Sequence, residues 1–223
     1  MNKYLVILLF FISFSSFSQK DWHIEIEGGA TLSSTLRYSA WSAKWKSNYL
    51  ANINAEYEMK NLSVGTGISI YSLGGKYEQY FDNNIGWVTK TGINIHNIGI
   101  SLYSKYQVGS WSFTIGLLPS ITVYATGSDD TDQQLNGNNL RINTKRIDSE
   151  TEHFNKTNVI KPLTLASYFA VKRNLKKINP SYFVGIRYGV DITRSLNYSR
   201  FENSAVDKFH SVGIILGKKF NLP

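Results

Sequence analysis

Apolar and polar residues alternate with a period of two through most of this chain. The alternation is clearest at 49–59, where apolar and aromatic side chains from Tyr49 to Met59 interleave with polar ones, and at 182–193. Successive side chains of a β-strand point to opposite faces, so this pattern predicts half-buried strands rather than helices. Weaker versions of it predict six further strands, at 22–37, 62–72, 97–107, 111–124, 163–173 and 206–220.

The connections between these eight predicted strands alternate in length. Those at Lys60-Asn61, 108–110 and 175–180 are short, and those at 38–47, 74–95, 125–161 and 195–205 are longer and polar. Tight turns at one end and long loops at the other are typical of transmembrane barrels, with the short turns on the periplasmic side. The predicted fold is therefore all-β: an eight-stranded antiparallel up-and-down transmembrane β-barrel. We expect the loop at 125–161 to be the longest and the least ordered part of the barrel domain.

The N-terminal segment has the features of an export signal. Lys3 supplies a positive charge, residues 4–12 form a short apolar run, and Ser16-Phe17-Ser18 provides a small-x-small cleavage site. We therefore expect residues 1–18 to be a signal peptide and residues 19–223 to form one outer-membrane β-barrel domain. This arrangement predicts location in the outer membrane, with its lipids as partners.

Composition and motifs exclude several functional classes. The chain contains no cysteine, which excludes disulfides, thiolate metal sites and a cysteine nucleophile. Its 24 Lys and Arg exceed its 16 Asp and Glu, but the cations are dispersed along the chain, so nucleic acid is not an expected partner. Neither a nucleophile elbow, a phosphate loop, a zinc helix nor a dinucleotide fingerprint occurs, so we predict no cofactor, no metal site and no catalytic residue.

The polar face of the predicted strands carries charged residues that we expect to fill the barrel interior. Four acids and four bases share inward parity and lie mostly in the periplasmic half: Glu25, Glu27, Glu56, Glu58, Lys105, Lys172, Arg187 and Lys219. Buried carboxylates need counter-charges, so this set predicts a salt-bridge network that plugs the lumen and holds the strands in register. The alternative is a soluble lipocalin-type carrier with its apolar face inside.

Aromatic residues gather near the predicted strand ends. Amphipathic rings favour the two membrane–water interfaces, which predicts two girdles. The periplasmic girdle comprises Trp22, Tyr57, Tyr106, Trp111 and Tyr182, and the outer girdle comprises Tyr38, Trp41, Trp45, Tyr49, Tyr124 and Phe209. Between the girdles we expect a lipid-facing belt made of Tyr49, Ile53, Tyr57, Val184, Ile186, Tyr188, Val212 and Ile214.

The central hairpin resembles that of PorT-like outer-membrane β-barrel domains. Segment 97–106 ends in a Lys-Tyr pair and leads through a short turn into the aromatic segment 111–120, with its Gly-x-x-x motif. The ending Gly217-Lys-Lys-Phe220 is similar to the aromatic last strand of that family, which the barrel-assembly machinery recognises. The resemblance implies an outer-membrane barrel and, by analogy, a part in a secretion or gliding assembly.

These features predict a non-enzymatic barrel that presents outer loops for surface binding, envelope maintenance or a secretion-associated assembly. Eight strands leave a lumen that side chains can fill, which argues against an open channel. A protein partner that binds the outer loops is expected but not identified. The alternative enzymatic function is lipid modification, with His153 and Ser149 in the 125–161 loop as candidate residues.

Overall fold

The computed structural model describes residues 21–36, 41–82, 86–134, 142–146, 162–175, 179, 181–193 and 208–222. The predicted signal peptide and most of the predicted loops at 125–161 and 195–205 lie outside these residues. Within the described ranges there are ten strands: β1 (Trp22–Leu36), β2 (Trp41–Lys44), β3 (Lys46–Met59), β4 (Leu62–Asp82), β5 (Gly86–Val108), β6 (Trp111–Gln134), β7 (Ile142–Arg146), β8 (Leu163–Asn174), β9 (Tyr182–Asp191) and β10 (Lys208–Asn221). No helix in these parts of the chain is long and apolar enough to span a bilayer.

Eight of these strands close into an antiparallel barrel. The wall order is β1, β3, β4, β5, β6, β8, β9 and β10, each strand pairing with the next. The pairing of β1 with β10, from His23 opposite Asn221 to Leu36 opposite Lys208, closes the ring. Closure leaves no free sheet edge in the wall, as a membrane-spanning sheet requires. The predicted eight-stranded antiparallel barrel is confirmed.

The apolar residues of the alternating pattern cover the outside of the barrel. Ile53, Ile186 and Ile214 are 59%, 60% and 62% exposed, and Tyr49 and Tyr188 are exposed as well. The remaining members of the predicted belt are partly exposed on the same face: Tyr57, Val184 and Val212. Such a surface would be strongly unfavourable in water, whereas lipid is its natural contact. The predicted outward face is confirmed, and the lipocalin-type arrangement with an apolar lining is wrong.

Two hairpin turns at the periplasmic end contain only two residues each. Met59 pairs with Leu62 around Lys60-Asn61, and Val108 pairs with Trp111 around Gly109-Ser110. The first turn residue has a positive φ in both cases, 57° at Lys60 and 62° at Gly109. These tight turns connect neighbouring wall strands and so fix their register.

Three strands continue well past the outer end of the barrel. β4 and β5 stay paired up to Asp82 and Gly86, and β6 follows β5 up to Gln134. The short strands β2 and β7 flank this extension by pairing with β4 and β6. We call this five-stranded extension the outer sheet. It occupies most of what the sequence indicated as the loop at 74–95 and the start of the loop at 125–161, so those predicted loop boundaries are wrong.

A β-bulge marks the place where β6 leaves the barrel. His96 pairs with Tyr124 but Asn97 pairs with Thr122, so Val123 is the additional residue. Val123 and Tyr124 are consequently both exposed although they are adjacent in sequence. A bulge of this kind bends the strand and re-aims its side chains, here at the transition from barrel wall to outer sheet.

Side chains fill the lumen in two layers. The periplasmic half holds a group of buried charged residues. The outer half holds buried polar residues such as Ser33 and Asp191 together with an apolar cluster that includes Leu50, Leu73, Ile95, Leu118 and Phe209. Phe209 is 0% exposed, so its predicted place in the outer girdle is wrong. Its neighbour His210 has the lipid-facing parity, and Phe209 therefore points inward.

The positive φ at Gly109 generates a stability prediction. A Cβ added there would meet no atom within 4 Å, so backbone conformation alone opposes a side chain. We expect Gly109→Ala to lower the free energy of unfolding by about 1–2 kcal/mol. Urea unfolding of the detergent-folded barrel measures this change. Ser110→Ala is the matched control because Ser110 lacks a positive φ; equal effects of the two substitutions would contradict the explanation.

Candidate functional site

The buried charges in the periplasmic half of the lumen form one alternating chain of acids and bases. Each of its four carboxylates contacts two basic side chains, and each of its three lysines contacts two carboxylates. From the periplasmic end the order is His23, Glu58, Lys219, Glu56, Lys105, Glu25, Lys172, Glu27 and Arg187. We call this arrangement the lumen charge chain. It brings together all eight residues that the sequence indicated, and it adds His23.

The periplasmic end of the lumen charge chain is partly open to solvent. The Lys219 Nζ lies 2.7 Å from Glu58 Oε2 and 3.9 Å from Glu56 Oε1, and His23 Nε2 lies 2.9 Å from Glu58 Oε2. The side chains of Glu58 and Lys219 are 30% and 24% exposed to solvent. These outermost contacts are therefore screened by water, and each contributes less than a fully buried pair.

The centre of the chain is sealed from solvent. Glu25 receives Lys105 Nζ at 3.1 Å and is also in contact with Lys172. Lys172 Nζ in turn lies 2.6 Å from Glu27 Oε2, and Lys105 also contacts Glu56. Taking these charges out of water is expensive, and only mutual pairing offsets the desolvation. Lys105 and Lys172 are therefore part of the packed interior of the barrel, like its apolar core residues.

Neutral polar groups complete the coordination of the carboxylates. Asn52 Nδ2 donates to Glu27, and the Tyr103 hydroxyl donates to Glu56 Oε2 at 3.1 Å. The register places Asn52 and Asn54 directly opposite Glu27 and Glu25 on the neighbouring strand. The sequence indicated that the glutamates of β1 and β3 lie close together. The asparagines show how the wall avoids opposing like charges in a cross-strand pair.

Glycines make room for aromatic rings beside the charge chain. In three cross-strand pairs a buried ring faces a glycine: Tyr103 faces Gly65, Tyr168 faces Gly116, and Phe183 faces Gly217. A Cβ added to any of these glycines would come within 2.2–2.6 Å of a ring atom. Only a residue without a side chain therefore permits these ring positions.

The same rings contact the cations of the chain. The Arg187 guanidinium lies 3.7 Å from the ring centroid of Tyr168, and Lys172 Nζ lies 4.7 Å from that of Phe183. Cation–π attraction of this kind is strongest where water is excluded. Strands β4 and β6 provide no member of the lumen charge chain, but through Gly65 and Gly116 they hold rings that touch it.

A small cavity lies where the end of the lumen charge chain meets the apolar cluster of the outer half. Its volume is about 30 Å³, and its lining includes Tyr71, Leu118, Arg187 and Asp191. A space of that size holds one or two water molecules. Above it, Ser33 Oγ donates to the Gly74 carbonyl at 2.6 Å and links β1 to β4 across the outer end of the lumen. Buried side chains therefore occupy the described lumen on both sides of the cavity.

The structure places most of the indicated aromatic residues on the outer face. At the periplasmic end Tyr106, Trp111 and Tyr182 are exposed, and the rings of Trp22 and Tyr57 lie 5.4 Å apart. At the outer end Trp45, Tyr49 and Tyr124 are exposed. Tyr38 and the side chain of Trp41 lie outside the described residues, and so do His153 and Ser149.

Two histidines, His96 and His210, complete the outer aromatic set in the interfacial, hydrogen-bonding positions that the sequence indicated. The Tyr49 hydroxyl is 3.0 Å from His96 Nδ1, and the His96 ring also lies 5.5 Å from that of Tyr124. His210 lies between Trp45 and Tyr188, with ring centroids 4.7 Å and 6.3 Å away. Their lipid-facing parity was visible in the sequence, but the strands that would approach them were not.

No protein-family model matches this chain, and no curated protein is similar to it. Crystal structures with a similar fold include Neisserial surface protein A, with 10% identity, a TM-score of 0.44, and coverage of 89% of this chain and 97% of that one. The attachment invasion locus protein Ail of Yersinia pestis is 12% identical, with a TM-score of 0.41 and coverage of 90% of this chain and 99% of that one. The outer membrane protein OprG of Pseudomonas aeruginosa is 13% identical, with a TM-score of 0.42 and coverage of 91% of this chain and 97% of that one.

The register and the two faces of the wall determine the class of protein. A closed barrel with a lipid-facing apolar surface and a filled interior satisfies every backbone group internally, as a bilayer demands. The chain is a small transmembrane β-barrel of the outer-membrane type.

The central position of Lys172 generates a second stability prediction. Its ammonium is shared by Glu25 and Glu27, so Lys172→Met leaves both carboxylates with one cation fewer. We expect the free energy of unfolding to fall by about 3–5 kcal/mol, the usual effect of breaking a buried ion pair. Urea unfolding followed by tryptophan fluorescence measures it. Arg173→Met is the matched control because Arg173 is the adjacent residue on the outer face, and an equal loss there would contradict the role of the chain.

Proposed function

We propose that this protein is a non-enzymatic outer-membrane protein whose plugged barrel anchors a surface-exposed sheet used in binding or envelope maintenance. The filled lumen is the observation that carries this proposal. Sealed ion pairs occupy its periplasmic half, and buried side chains that include Ile95 and Phe209, both at 0% exposure, fill its outer half. A barrel whose lumen is filled by side chains serves as a rigid base rather than as a channel.

The outer sheet is the part of the molecule that the filled barrel would hold at the cell surface. β4 continues from Leu73 to Asp82, which is about 30 Å at the usual rise per residue. Its register places Glu78 opposite Lys90, and Lys90 opposite Asp130. Functional surfaces are commonly held in this way by a rigid scaffold.

Biogenesis follows from the same proposal. Residues 1–18 would direct export, and the barrel-assembly machinery would recognise β10, which carries Phe220 and pairs with β1. The hairpin of β5 and β6, with Lys105-Tyr106 and the aromatic segment from Trp111, supports the narrower resemblance to PorT-like domains. A part in a secretion-associated assembly, with a protein partner on the outer sheet, is the specific form of the proposed function.

The orientation of the barrel can be tested by labelling single cysteines, since the natural chain has none. We expect a membrane-impermeant maleimide to label Lys90→Cys, in the outer sheet, on intact cells. Lys60→Cys, in a periplasmic turn, should react only after the outer membrane is permeabilised. Immunoblotting of the labelled protein reports both reactions. Labelling of Lys60→Cys alone on intact cells would reverse the orientation, and no labelling of either on intact cells would contradict surface exposure.

The plugged lumen predicts the electrical behaviour of the pure protein. In planar bilayers we expect no large, stable single-channel conductance, because ions would have to displace paired charges and an apolar layer. A porin of known conductance in the same bilayers is the positive control, and heat-modifiable gel migration verifies that the inserted protein is folded. Steady openings by the folded barrel would refute the anchoring role and indicate a channel.

A further inference from the structure

A groove runs along the outer face of the barrel where the first and last strands meet. It lies near the periplasmic end, has a volume of about 670 Å³, and is lined mainly by lipid-facing positions of β1, β9 and β10. The residues that matter here are Ile26, Gly28, Tyr182, Leu216, Lys218 and Phe220. A groove of this size on a surface that contacts the membrane is large enough for a hydrocarbon chain.

The bottom of the groove is formed by backbone at Gly28. This residue has lipid-facing parity, and a Cβ built there would contact only the Leu50 carbonyl oxygen, at 3.8 Å. Ile26 and Leu216 border it and are exposed. The missing side chain at Gly28 therefore creates a depression between two branched apolar residues, and its shape and polarity suit an acyl chain.

A cation lies at the periplasmic end of the same groove. Lys218 is paired with Ile26 on one side and with Tyr182 on the other, so it shares their outward face. Its Nζ lies 5.2 Å from the ring centroid of Tyr182 and 4.7 Å from that of Phe220. Within the described part of the chain it is in no ion pair, whereas the next residue, Lys219, is paired with Glu58 in the lumen.

We propose that this groove binds one phospholipid of the periplasmic leaflet. The phosphate would contact the Lys218 ammonium, and one acyl chain would follow the groove across Gly28 between Ile26 and Leu216. Charge complementarity supports this occupant, because an ammonium held by two rings at the level of the headgroups attracts a phosphate. The inference rests on the proposed membrane location and adds a defined ligand site to it.

Arg173 provides a matched comparison on the same periplasmic rim. Its guanidinium lies 5.2 Å from the ring centroid of Trp111, so it is also an outward cation next to an aromatic ring. It is not among the residues that line the groove. If the periplasmic rim attracts anionic lipid in general, both Lys218 and Arg173 contribute. If the groove is a site for one lipid molecule, only Lys218 contributes.

Native mass spectrometry of the folded, detergent-solubilised barrel titrated with phosphatidylglycerol tests the proposal. We expect one tightly held lipid per barrel, with Lys218→Gln weakening its affinity about tenfold through loss of a charge-assisted contact. Gly28→Leu should reduce binding at least as much by filling the groove, and Arg173→Gln should leave it unchanged. Heat-modifiable migration verifies that every variant is folded.

Three results would overturn the inference. Equal binding by wild type, Lys218→Gln and Gly28→Leu would show lipid that surrounds the barrel without a site. An equal loss with Arg173→Gln would show attraction by the rim as a whole. A second copy of the chain in place of lipid would identify the groove as a dimer contact. In each case insertion into phosphatidylglycerol vesicles separates the two proposals: failure to insert refutes the membrane location, and insertion without a specific lipid refutes only the site.

Discussion

The alternating pairing of charges inside the barrel is the interaction on which the rest of this structure depends. Glu25, Glu27, Lys105 and Lys172 are almost completely removed from water, so each is tolerated only while its partners keep their positions. Those partners come from β1, β3, β5, β8 and β9. A shift of any of these strands by one residue would turn a charge towards lipid, and the pairing therefore specifies register as well as filling space.

Shape and charge support one another within this interior. Gly65 and Gly116 lie on the two wall strands that contribute no residue to the lumen charge chain, and each makes room for a ring that contacts that chain. The apolar layer above excludes water from the ion pairs and so strengthens them. Outside, the same wall shows mainly apolar and aromatic residues. The strand alternation thus places charged residues inside the barrel and apolar residues against lipid, with one backbone arrangement.

The sequence predicted this wall well because a period of two is a local property. Parity alone identified the charged residues of the lumen, and it also marks His23, whose position two residues before Glu25 shows the same inward face. The prediction was wrong at Phe209 because that residue was placed by its nearness to a strand end, whereas its alternation with His210 indicates the inward face that the structure shows. Long-range pairing was not visible: segment 74–95 is polar and reads as a loop, yet β4 and β5 hydrogen-bond through it. Which acid meets which base likewise depends on strand register and side-chain reach, which no single segment encodes.

The continuity of β4, β5 and β6 from barrel to outer sheet has a mechanical consequence. A tensile load on the outer sheet would run parallel to these strands, across backbone hydrogen bonds that lie perpendicular to it. Such bonds are loaded in shear and share the force, whereas a hairpin pulled sideways would unzip one bond at a time. The barrel would therefore resist a pull applied to the outer sheet, and the bulge at Val123 is the point where bending under a lateral force would begin.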